Sequence, residues 1–352
     1  MMTIRAAWVL VLAAACAGRY PASSPTTAGK PASAPAMGKG GIANAGLPYV
    51  VLDGRTGRQL EEAAYWPRLA RARAVCIGEE HPNPHHHWVQ LHTVQKLITT
   101  LGKDEVLGLG LEMVQRPFQG VLDDYAAKRI DAEALKSRTG WEERWGYDFA
   151  FYGPTLDAAV GAGGKLLALN ASRELTKRVS RQGLESLSPD EKAQVPELKL
   201  DDARHRAWFD ALMSELGGAH AHSQPKKDSS IDKDDVMGDP DPHAEKEKET
   251  AKEKEKDKPQ MPSAERIYTV QVLWDETMAD GGAKWLAANP RGRLVILAGN
   301  GHCHDSAIVG RLKRRGMADV ISVRPVIDTE GNVAEALAKP MNDFVIVLQL
   351  PK

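Results

Sequence analysis

Short apolar runs along the chain alternate with longer segments in which apolar residues recur every three or four positions. Runs of this length indicate β-strands, and the spacing of three or four indicates amphipathic helices. Strands are predicted at residues 49–52, 74–77, 106–112, 165–169, 293–298, 320–323 and 344–350. Helices are predicted at residues 56–72, 84–101, 117–127, 131–136, 155–162, 171–216, 264–289 and 306–315. This alternation predicts an α/β fold, with a mostly parallel sheet flanked by helices on both faces.

Polar side chains follow four of the predicted strands. They are Glu79 and His81 after 74–77, Glu112 at the end of 106–112, Asn170 after 165–169, and Asn300 with His302 after 293–298. In a parallel sheet, functional residues collect in the crevice at the carboxyl ends of the strands. If these strands are parallel neighbours, we expect the polar groups to lie together on one rim of the sheet.

The turn after residue 77 carries the first of these groups. Glu79 and His81 on one turn can supply a metal ligand with a hydrogen-bonded partner, or an acid–base pair. The plainer alternative is a loop carboxylate that caps the next helix, with His81 beside it. Asn83 is the expected N-cap of that helix and Pro84 its first residue.

Three consecutive histidines, at residues 85–87, occupy the first turn of that helix. Side chains at consecutive helical positions point about 100° apart, so no more than two of the three can face the rim. His86 and Gln90 are four positions apart and share a helix face. We therefore predict that His86 and Gln90 line the rim.

Three of the other four rim candidates have a structural alternative, and His302 is the exception. Glu112 lies in an otherwise apolar strand and must be paired, protonated or exposed to solvent, so a salt bridge to Arg116 is the alternative to a functional role. His302 follows glycines that let the backbone turn sharply and present the imidazole. Asn170 either orients a neighbouring group through its amide or serves as a turn residue. His304 either reaches the same site or lies exposed at a helix start.

Two further segments bear on the function of the rim. Aromatic residues are concentrated at positions 141–152. Such clusters commonly form a core or an interface, but they also suit a flat apolar ligand, as the lid or floor of a site. Asp275, beside Trp274 on the helix at 264–289, is expected to support the site or to lie on the helix surface.

Charge and cysteine content narrow the range of functions. The 352-residue chain has a net charge of −1, so there is no electrostatic case for a nucleic-acid partner. Its three cysteines, Cys16, Cys76 and Cys303, are too few for a disulfide framework, and Cys76 is expected to be a buried thiol. The chain also lacks the motifs of P-loop nucleotide binding, serine hydrolysis and zincin-type proteolysis.

Two stretches are predicted to lie outside the folded domain. Residues 1–16 contain an apolar run that ends in Cys16, which is typical of a lipoprotein signal peptide whose cysteine carries the lipid anchor; an ordinary secretory signal is the alternative. Residues 17–45 are predicted to form a flexible tether. The domain then spans 46–352, and a Lys/Glu-rich stretch at 217–262 predicts a disordered insertion, because it has almost no large apolar residue.

These motifs, in this order and spacing, resemble the ChaN-like family of haem-binding lipoproteins within the Tiki and erythromycin-esterase-like superfamily. The resemblance covers residues 48–350 apart from the charged insertion. It rests on Gly78-Glu79-Glu80-His81, His86-His87 with Gln90, Leu111-Glu112-Met113, Asn170, Trp274-Asp275-Glu276-Thr277-Met278-Ala279 and Gly299-Asn300-Gly301-His302. The chain departs from the family in its long insertion and in Pro82, where an acidic residue is common.

The resemblance implies an α/β fold and an envelope lipoprotein that faces the periplasm or the cell surface and serves haem or iron uptake. It also implies that two chains can pair through haem as a homodimer. The wider superfamily includes metal-dependent proteases and other hydrolases. These place a glutamate and histidines at the positions of Glu79, His81, Glu112 and His302. Because the family's haem ligands follow no single motif, the axial ligands stay open.

Haem binding is the first of three functions to be distinguished, with iron held by histidine or tyrosine in an aromatic-rimmed groove. The candidate cofactor-binding residues are His81, His86, Gln90, Asn170 and His302. The second function is a hydrolase in which a divalent metal such as Mn, Co or Zn activates water, with Glu79 or Glu112 as general base. Its candidate metal ligands and catalytic residues are Glu79, His81, Glu112 and His302. The third function is a rim that binds a partner.

Two considerations bear on the choice between haem and hydrolysis. The carboxylates of the rim are unusual for a haem site, because they would repel the propionate groups of haem. An aromatic segment 141–152 beside the rim would favour haem, whereas the same segment away from the rim would favour the hydrolase.

Overall fold

The computed structural model describes residues 46–221, 262–329 and 331–350. The predicted signal peptide, the lipidation site Cys16, the tether and most of the insertion at 217–262 therefore lie outside the described residues. Within the described ranges, none of the helices is both long enough and apolar enough to cross a membrane.

The described residues form one eight-stranded sheet in the order β2-β1-β8-β7-β3-β6-β4-β5. The strands are β1 (Tyr49–Asp53), β2 (Gln59–Leu60), β3 (Ala74–Ile77), β4 (Val106–Gln115), β5 (Lys165–Asn170), β6 (Gly292–Leu297), β7 (Val320–Ile327) and β8 (Phe344–Leu348). Strand β1 is antiparallel to both of its neighbours, and the strands from β8 to β5 are parallel. The predicted α/β fold with a mostly parallel sheet is confirmed.

Helices connect the strands and cover both faces of the sheet. They are α1 (Glu62–Arg71), α2 (Pro84–Ile98), α3 (Gln119–Ala126), α4 (Ala132–Thr139), α5 (Trp141–Arg144), α6 (Gly153–Gly161), α7 (Arg173–Gln182), α8 (Pro189–Lys192), α9 (Ala203–Ala221), α10 (Ala264–Ala288), α11 (Ile308–Arg314) and α12 (Asn332–Ala338). Short 3₁₀ turns occur at Arg116–Phe118, Phe149–Phe151 and Leu184–Ser186.

The side chains of β3 show how the sheet is buried on both sides. Val75 and Ile77 pack into the core formed with α2 and α6, whereas Ala74 and Cys76 pack into the core formed with α10 and α11. All four side chains are buried. A strand with both faces covered has no solvent side, which is why its sequence is apolar without alternation.

Glycines in β4 allow a helix to approach the sheet closely. A Cβ atom at Gly108 would lie 2.8 Å from the indole ring of Trp285 on α10. At Gly110 it would clash with the side chain of Leu169 on β5. The alternation of glycine and leucine in this strand therefore makes room for side chains from α10 and β5.

Strands β3, β6, β4 and β5 are consecutive and parallel, as the rim prediction requires. Leu297 of β6 is in register with Ile77 of β3 and with Leu111 of β4. The carboxyl ends of these strands therefore lie at one level. Glu79 follows β3 and Glu112 lies on β4. Both polar residues therefore lie on the same rim.

Two predicted helices are wrong in their extent. The helix expected at 56–72 begins only at Glu62, because residues 53–60 form a turn and strand β2, which pairs with β1. The stretch 171–216 divides into α7, α8 and α9, with no helix across residues 193–202. Gly183, whose φ of +87° favours glycine, ends α7, and Pro196 lies in the non-helical stretch.

A disulfide joins Cys76 to Cys303, which corrects the prediction of a buried thiol at Cys76. The two Cα atoms are 5.3 Å apart, and both side chains are fully buried. The partners are separated by 227 residues, and no local pattern connects them. The bond ties β3 to the loop after β6, so it fixes two of the rim segments relative to each other.

Replacing both cysteines, as Cys76→Ala with Cys303→Ala, should lower the free energy of unfolding by about 2–4 kcal/mol, because the cross-link restricts the unfolded chain. Denaturant unfolding followed by far-UV circular dichroism measures this difference. Adding a reductant should not change the free energy of unfolding of the double variant. Equal stability of the double variant and the wild-type protein would contradict a stabilising role.

Candidate functional site

Glu79 is the centre of the rim and is completely buried. Its Oε1 atom accepts hydrogen bonds from the Tyr152 hydroxyl at 2.8 Å and from Nδ1 of His81 at 2.7 Å. Its Oε2 atom accepts from Nε2 of Gln90 at 2.7 Å. Burial opposes ionisation, but the charge of His87 and the hydrogen bond from His81 outweigh it and lower the pKa of Glu79 to about 2. The site therefore contains a carboxylate that is both buried and ionised.

Both ring nitrogens of His87 face acceptors. Nε2 of Gln90 lies near two acceptors, the Glu79 carboxylate and the Ile77 carbonyl, which leaves Oε1 of Gln90 facing Nδ1 of His87 at 3.1 Å. Nε2 of His87 lies 2.9 Å from the carbonyl oxygen of His81. Nδ1 of His87 also lies 3.5 Å from Oε2 of Glu79, and both side chains are fully buried. The orientation of His87 is therefore fixed by three groups of the site.

The start of α2 positions these histidines as the sequence predicts. The Asn83 side chain accepts a hydrogen bond from the backbone N–H of His85 at 3.1 Å, and Pro84 is the first helical residue. The first turn then directs His86 and His87 inward, where both are buried.

His86 and Gln90, the two α2 residues predicted to line the rim, contact different groups of it. His87 contacts Gln90, whereas Nδ1 of His86 accepts a hydrogen bond from the backbone N–H of Glu80 at 2.9 Å. Residues three apart on a helix are neighbours as well as residues four apart, and spacing alone does not choose between them. His86 therefore lies on the rim but outside the Glu79 cluster.

Glu112 and His302 form a second cluster on the rim. Oε2 of Glu112 accepts a hydrogen bond from the backbone N–H of Gly299 at 2.7 Å, and Oε1 lies 3.3 Å from Nε2 of His302. The alternative salt bridge from Glu112 to Arg116 is not formed, because Arg116 pairs with Asp280 at 2.9 Å. The glycine-rich loop after β6 thus holds Glu112 through its backbone and through its histidine.

Asp275 holds the other side of the His302 ring. Its Oδ1 atom lies 2.6 Å from Nδ1 of His302, so this imidazole lies between two carboxylates. Oδ2 lies 3.0 Å from Nε2 of His205 and 3.6 Å from Nη1 of Arg311. Burial opposes ionisation, but the charges of Arg311 and His302 lower the pKa of Asp275 well below its usual range. Asp275 has the predicted supporting role and is not a surface residue.

The phenol of Tyr152 is influenced by the carboxylates of both clusters. Burial and the charge of Glu79, with a smaller contribution from Glu112, raise the pKa of the Tyr152 phenol well above its usual value. The phenol therefore stays protonated and donates to Glu79. Tyr152, His205 and Arg311 were not among the predicted site residues, because each acts on a partner distant in the sequence.

Asn170 orients β4 through its amide, one of its two predicted roles. Nδ2 of Asn170 donates to the carbonyl oxygen of Glu112 at 2.9 Å, and Oδ1 accepts from the N–H of Ala171. The pairing of β4 with β5 shifts register between Leu111 and Gln115, so Glu112 lies in an irregular stretch. The hydrogen bond from Asn170 compensates for the missing strand pairing at this position.

The aromatic segment lies over the Glu79 cluster. The ring centroids of Trp145 and Tyr147 lie 4.7 Å and 4.9 Å from that of His81. Phe151 stacks on His87 with a centroid distance of 4.9 Å and an interplanar angle of 11°. Trp145, Tyr147 and Phe151 are partly exposed, whereas both histidines are buried. These three aromatic residues, called the aromatic cover below, separate the cluster from solvent beside the rim.

The predicted metal ligands are arranged as two pairs, Glu79 with His81 and Glu112 with His302. Across the residues that the structure describes, no group of three or more His, Cys, Asp and Glu side chains is placed to hold a metal ion. His304 does not join either pair; it is buried against Trp208, with a centroid distance of 4.6 Å.

A family profile described as "Haem-binding uptake, Tiki superfamily, ChaN" matches residues 65–312. The chain belongs to this family. The structure "Cofacial heme binding to ChaN of Campylobacter jejuni" aligns with a TM-score of 0.58 and 16% identity, covering 86% of this chain and 97% of that one. At this identity the likeness shows a shared fold.

A curated relative from Arabidopsis thaliana, "Protein RETICULATA-RELATED 5, chloroplastic", is 31% identical over 132 residues. The alignment covers 36% of this chain and 17% of the plant protein. The chain thus spans less than a fifth of that relative.

Substituting Asp275→Asn should destabilise the fold by about 3–5 kcal/mol, because it leaves His302, His205 and Arg311 around a buried neutral group. The control is Asp210→Asn on α9, which breaks an exposed ion pair with Arg206 and should cost less than about 1 kcal/mol. Denaturant unfolding measures both. Similar losses for the two variants would show that the Asp275 cluster contributes no more than a surface pair.

Proposed function

We propose that this protein binds haem in the bacterial cell envelope and serves haem or iron uptake, with the rim as its ligand site. The observation that carries the proposal is the position of the aromatic cover. Trp145 and Tyr147 lie directly against the imidazole of His81. Flat aromatic side chains beside an imidazole suit a flat, apolar macrocycle whose iron takes a nitrogen ligand.

Of the candidate ligands, His81 has the most suitable chemistry for iron. Its Nδ1 faces the Glu79 carboxylate at 2.7 Å and carries the proton, which places the lone pair on Nε2. A carboxylate behind a ligating histidine fixes the tautomer and raises the basicity of the ring. His302 is less suited, because both of its ring nitrogens face carboxylates. The haem iron would supply redox or ligand-binding chemistry at this position.

The envelope location rests on two features of the chain. The apolar run at residues 1–16 ends in Cys16, the proposed lipidation site that would attach the protein to a membrane. The Cys76–Cys303 disulfide supports an oxidising compartment, since structural disulfides persist outside the reducing cytosol. Cofacial haem binding, as in the Campylobacter jejuni ChaN structure, and the expected homodimer belong to the same proposal.

A divalent-metal hydrolase is the second candidate, favoured by the arrangement of His302. An imidazole between the carboxylates of Glu112 and Asp275 is suited to proton transfer. The predicted ligands for Mn, Co or Zn lie in two separate Glu–His pairs, and the described residues place no group of three or more such side chains to hold one ion. This candidate therefore rests on the acid–base groups, with Glu79 or Glu112 as general base.

A haem titration of the purified full-length chain, followed at the Soret band, tests the proposal. The wild-type protein should show a saturable shift, and His81→Ala should weaken binding by about tenfold or more, which corresponds to about 1.4 kcal/mol. His92→Ala is the control, because His92 lies on the same helix but stacks on Trp88, outside the Glu79 cluster. It should bind haem as the wild type does.

Two results would oppose the proposal. A shift of equal strength in His81→Ala would place haem away from the rim. Absence of a shift, together with stoichiometric divalent metal by elemental analysis, would make the hydrolase the better interpretation.

A further inference from the structure

Arg324 is a charged residue on the rim with no role in either Glu–His cluster. It lies on β7, one position beyond Val323, which is in register with the last residue of β3, Ile77. The carbonyl of Val323 accepts a hydrogen bond from the N–H of Gly78. Arg324 is therefore next to the turn that carries Glu79 and Glu80, at the same carboxyl-end rim.

The guanidinium of Arg324 lacks a close acceptor among the described residues. Its Nε atom is buried without a hydrogen-bond partner, and its nearest ion pair, to Glu335, is 3.9 Å long. Glu335 is itself 77% exposed, so this contact is weak. Burial lowers the pKa of Arg324, although Glu335 and Glu80 act against it. A partly exposed guanidinium with unused donors is a receptor for an anion.

His86 brings a second unused donor to this part of the rim. Because its Nδ1 accepts from the N–H of Glu80, its ring proton is on Nε2, and that atom is buried without a partner among the described residues. Burial lowers the pKa of His86 to about 3, so the ring is neutral and donates one N–H. Helix α2, which carries His86, packs against β7, which carries Arg324. A buried donor without an acceptor is costly, and a ligand oxygen would satisfy it.

Glu80 is a carboxylate of the same turn and lies near this pair. Its carboxyl group is 3.5 Å from the Asn83 amide. Among the described residues, Arg324 forms its ion pair with Glu335 and not with Glu80. In contrast, Glu79 and Glu112 each have a histidine partner. On the described part of the rim, Arg324 therefore has no carboxylate partner closer than 3.9 Å.

We propose that Arg324, assisted by the Nε2–H of His86, binds a carboxylate group of the ligand at the rim. This inference rests on the proposed haem function, in which that carboxylate is a propionate of the macrocycle. The planar guanidinium can donate two parallel hydrogen bonds to one carboxylate. The iron-side contacts of His81 and the carboxylate contact of Arg324 would then fix the ligand at two separate points.

The test compares haem with haem whose two propionates are methyl esters, delivered from the same detergent micelles to the full-length chain. The wild-type protein should bind haem about tenfold to hundredfold more tightly than the ester, the effect of a charge-assisted hydrogen-bond pair. Arg324→Gln should remove this preference by weakening binding of haem alone. Arg324→Lys, which keeps the charge, should retain part of it.

Arg178→Gln is the matched control, because Arg178 pairs with Glu191 away from the rim. It should keep the wild-type preference. A preference that survives in Arg324→Gln, or no preference in the wild-type protein, would overturn the carboxylate site while leaving haem binding intact.

A second measurement separates this inference from the proposed function if the chain binds neither form of haem. Benzoate, a simple carboxylate probe, is titrated while the Nε–H resonance of Arg324 is followed by NMR. A saturable shift of this resonance, which is assigned by its absence from Arg324→Gln, would establish a carboxylate receptor for a different ligand. No shift would overturn the site.

Discussion

The arrangement of the rim depends on one constraint: the carboxylate of Glu79 is ionised although it is fully buried. An unpaired carboxylate in such a position would be protonated or would destabilise the fold by several kcal/mol. Here Gln90 and His87 come from α2, His81 from the turn after β3, and Tyr152 from the segment before α6. The same interactions that keep Glu79 charged therefore also fix three segments of the chain around it.

The charge balance of the rim follows from this constraint. Glu79 is compensated by histidines, and Glu112 by His302 and the backbone of Gly299. A rim that looks acidic in the sequence is thus not an open acidic surface. This removes the objection that its carboxylates would repel the propionates of haem. In the proposed haem site, the aromatic cover would supply the apolar surface and Arg324 the positive charge that a propionate needs.

Much of the fold and part of the site can be predicted from the sequence. The strands are apolar runs, and parallel order places the residues after them on one rim, which identifies Glu79, His81, Glu112 and His302. The start of α2 is also predictable, because Asn83 and Pro84 act locally. In each case the signal and its structural consequence lie within a few residues of each other.

The remaining features depend on contacts between distant segments. Tyr152 is 73 residues from Glu79, and Cys76 is 227 residues from Cys303, so spacing does not reveal either pair. The choice between His86 and His87 depends on the rotation of α2 against the sheet.

The most direct test of a buried, ionised Glu79 is its own titration. The ¹³C chemical shift of its carboxyl carbon, assigned by its absence from Glu79→Gln, is followed as the pH is lowered. We expect the resonance to keep its ionised position until a pH of about 2 or until the protein unfolds. A midpoint at or above 4.5, the ordinary pKa of glutamate, in the folded protein would contradict the charged carboxylate at the centre of the rim.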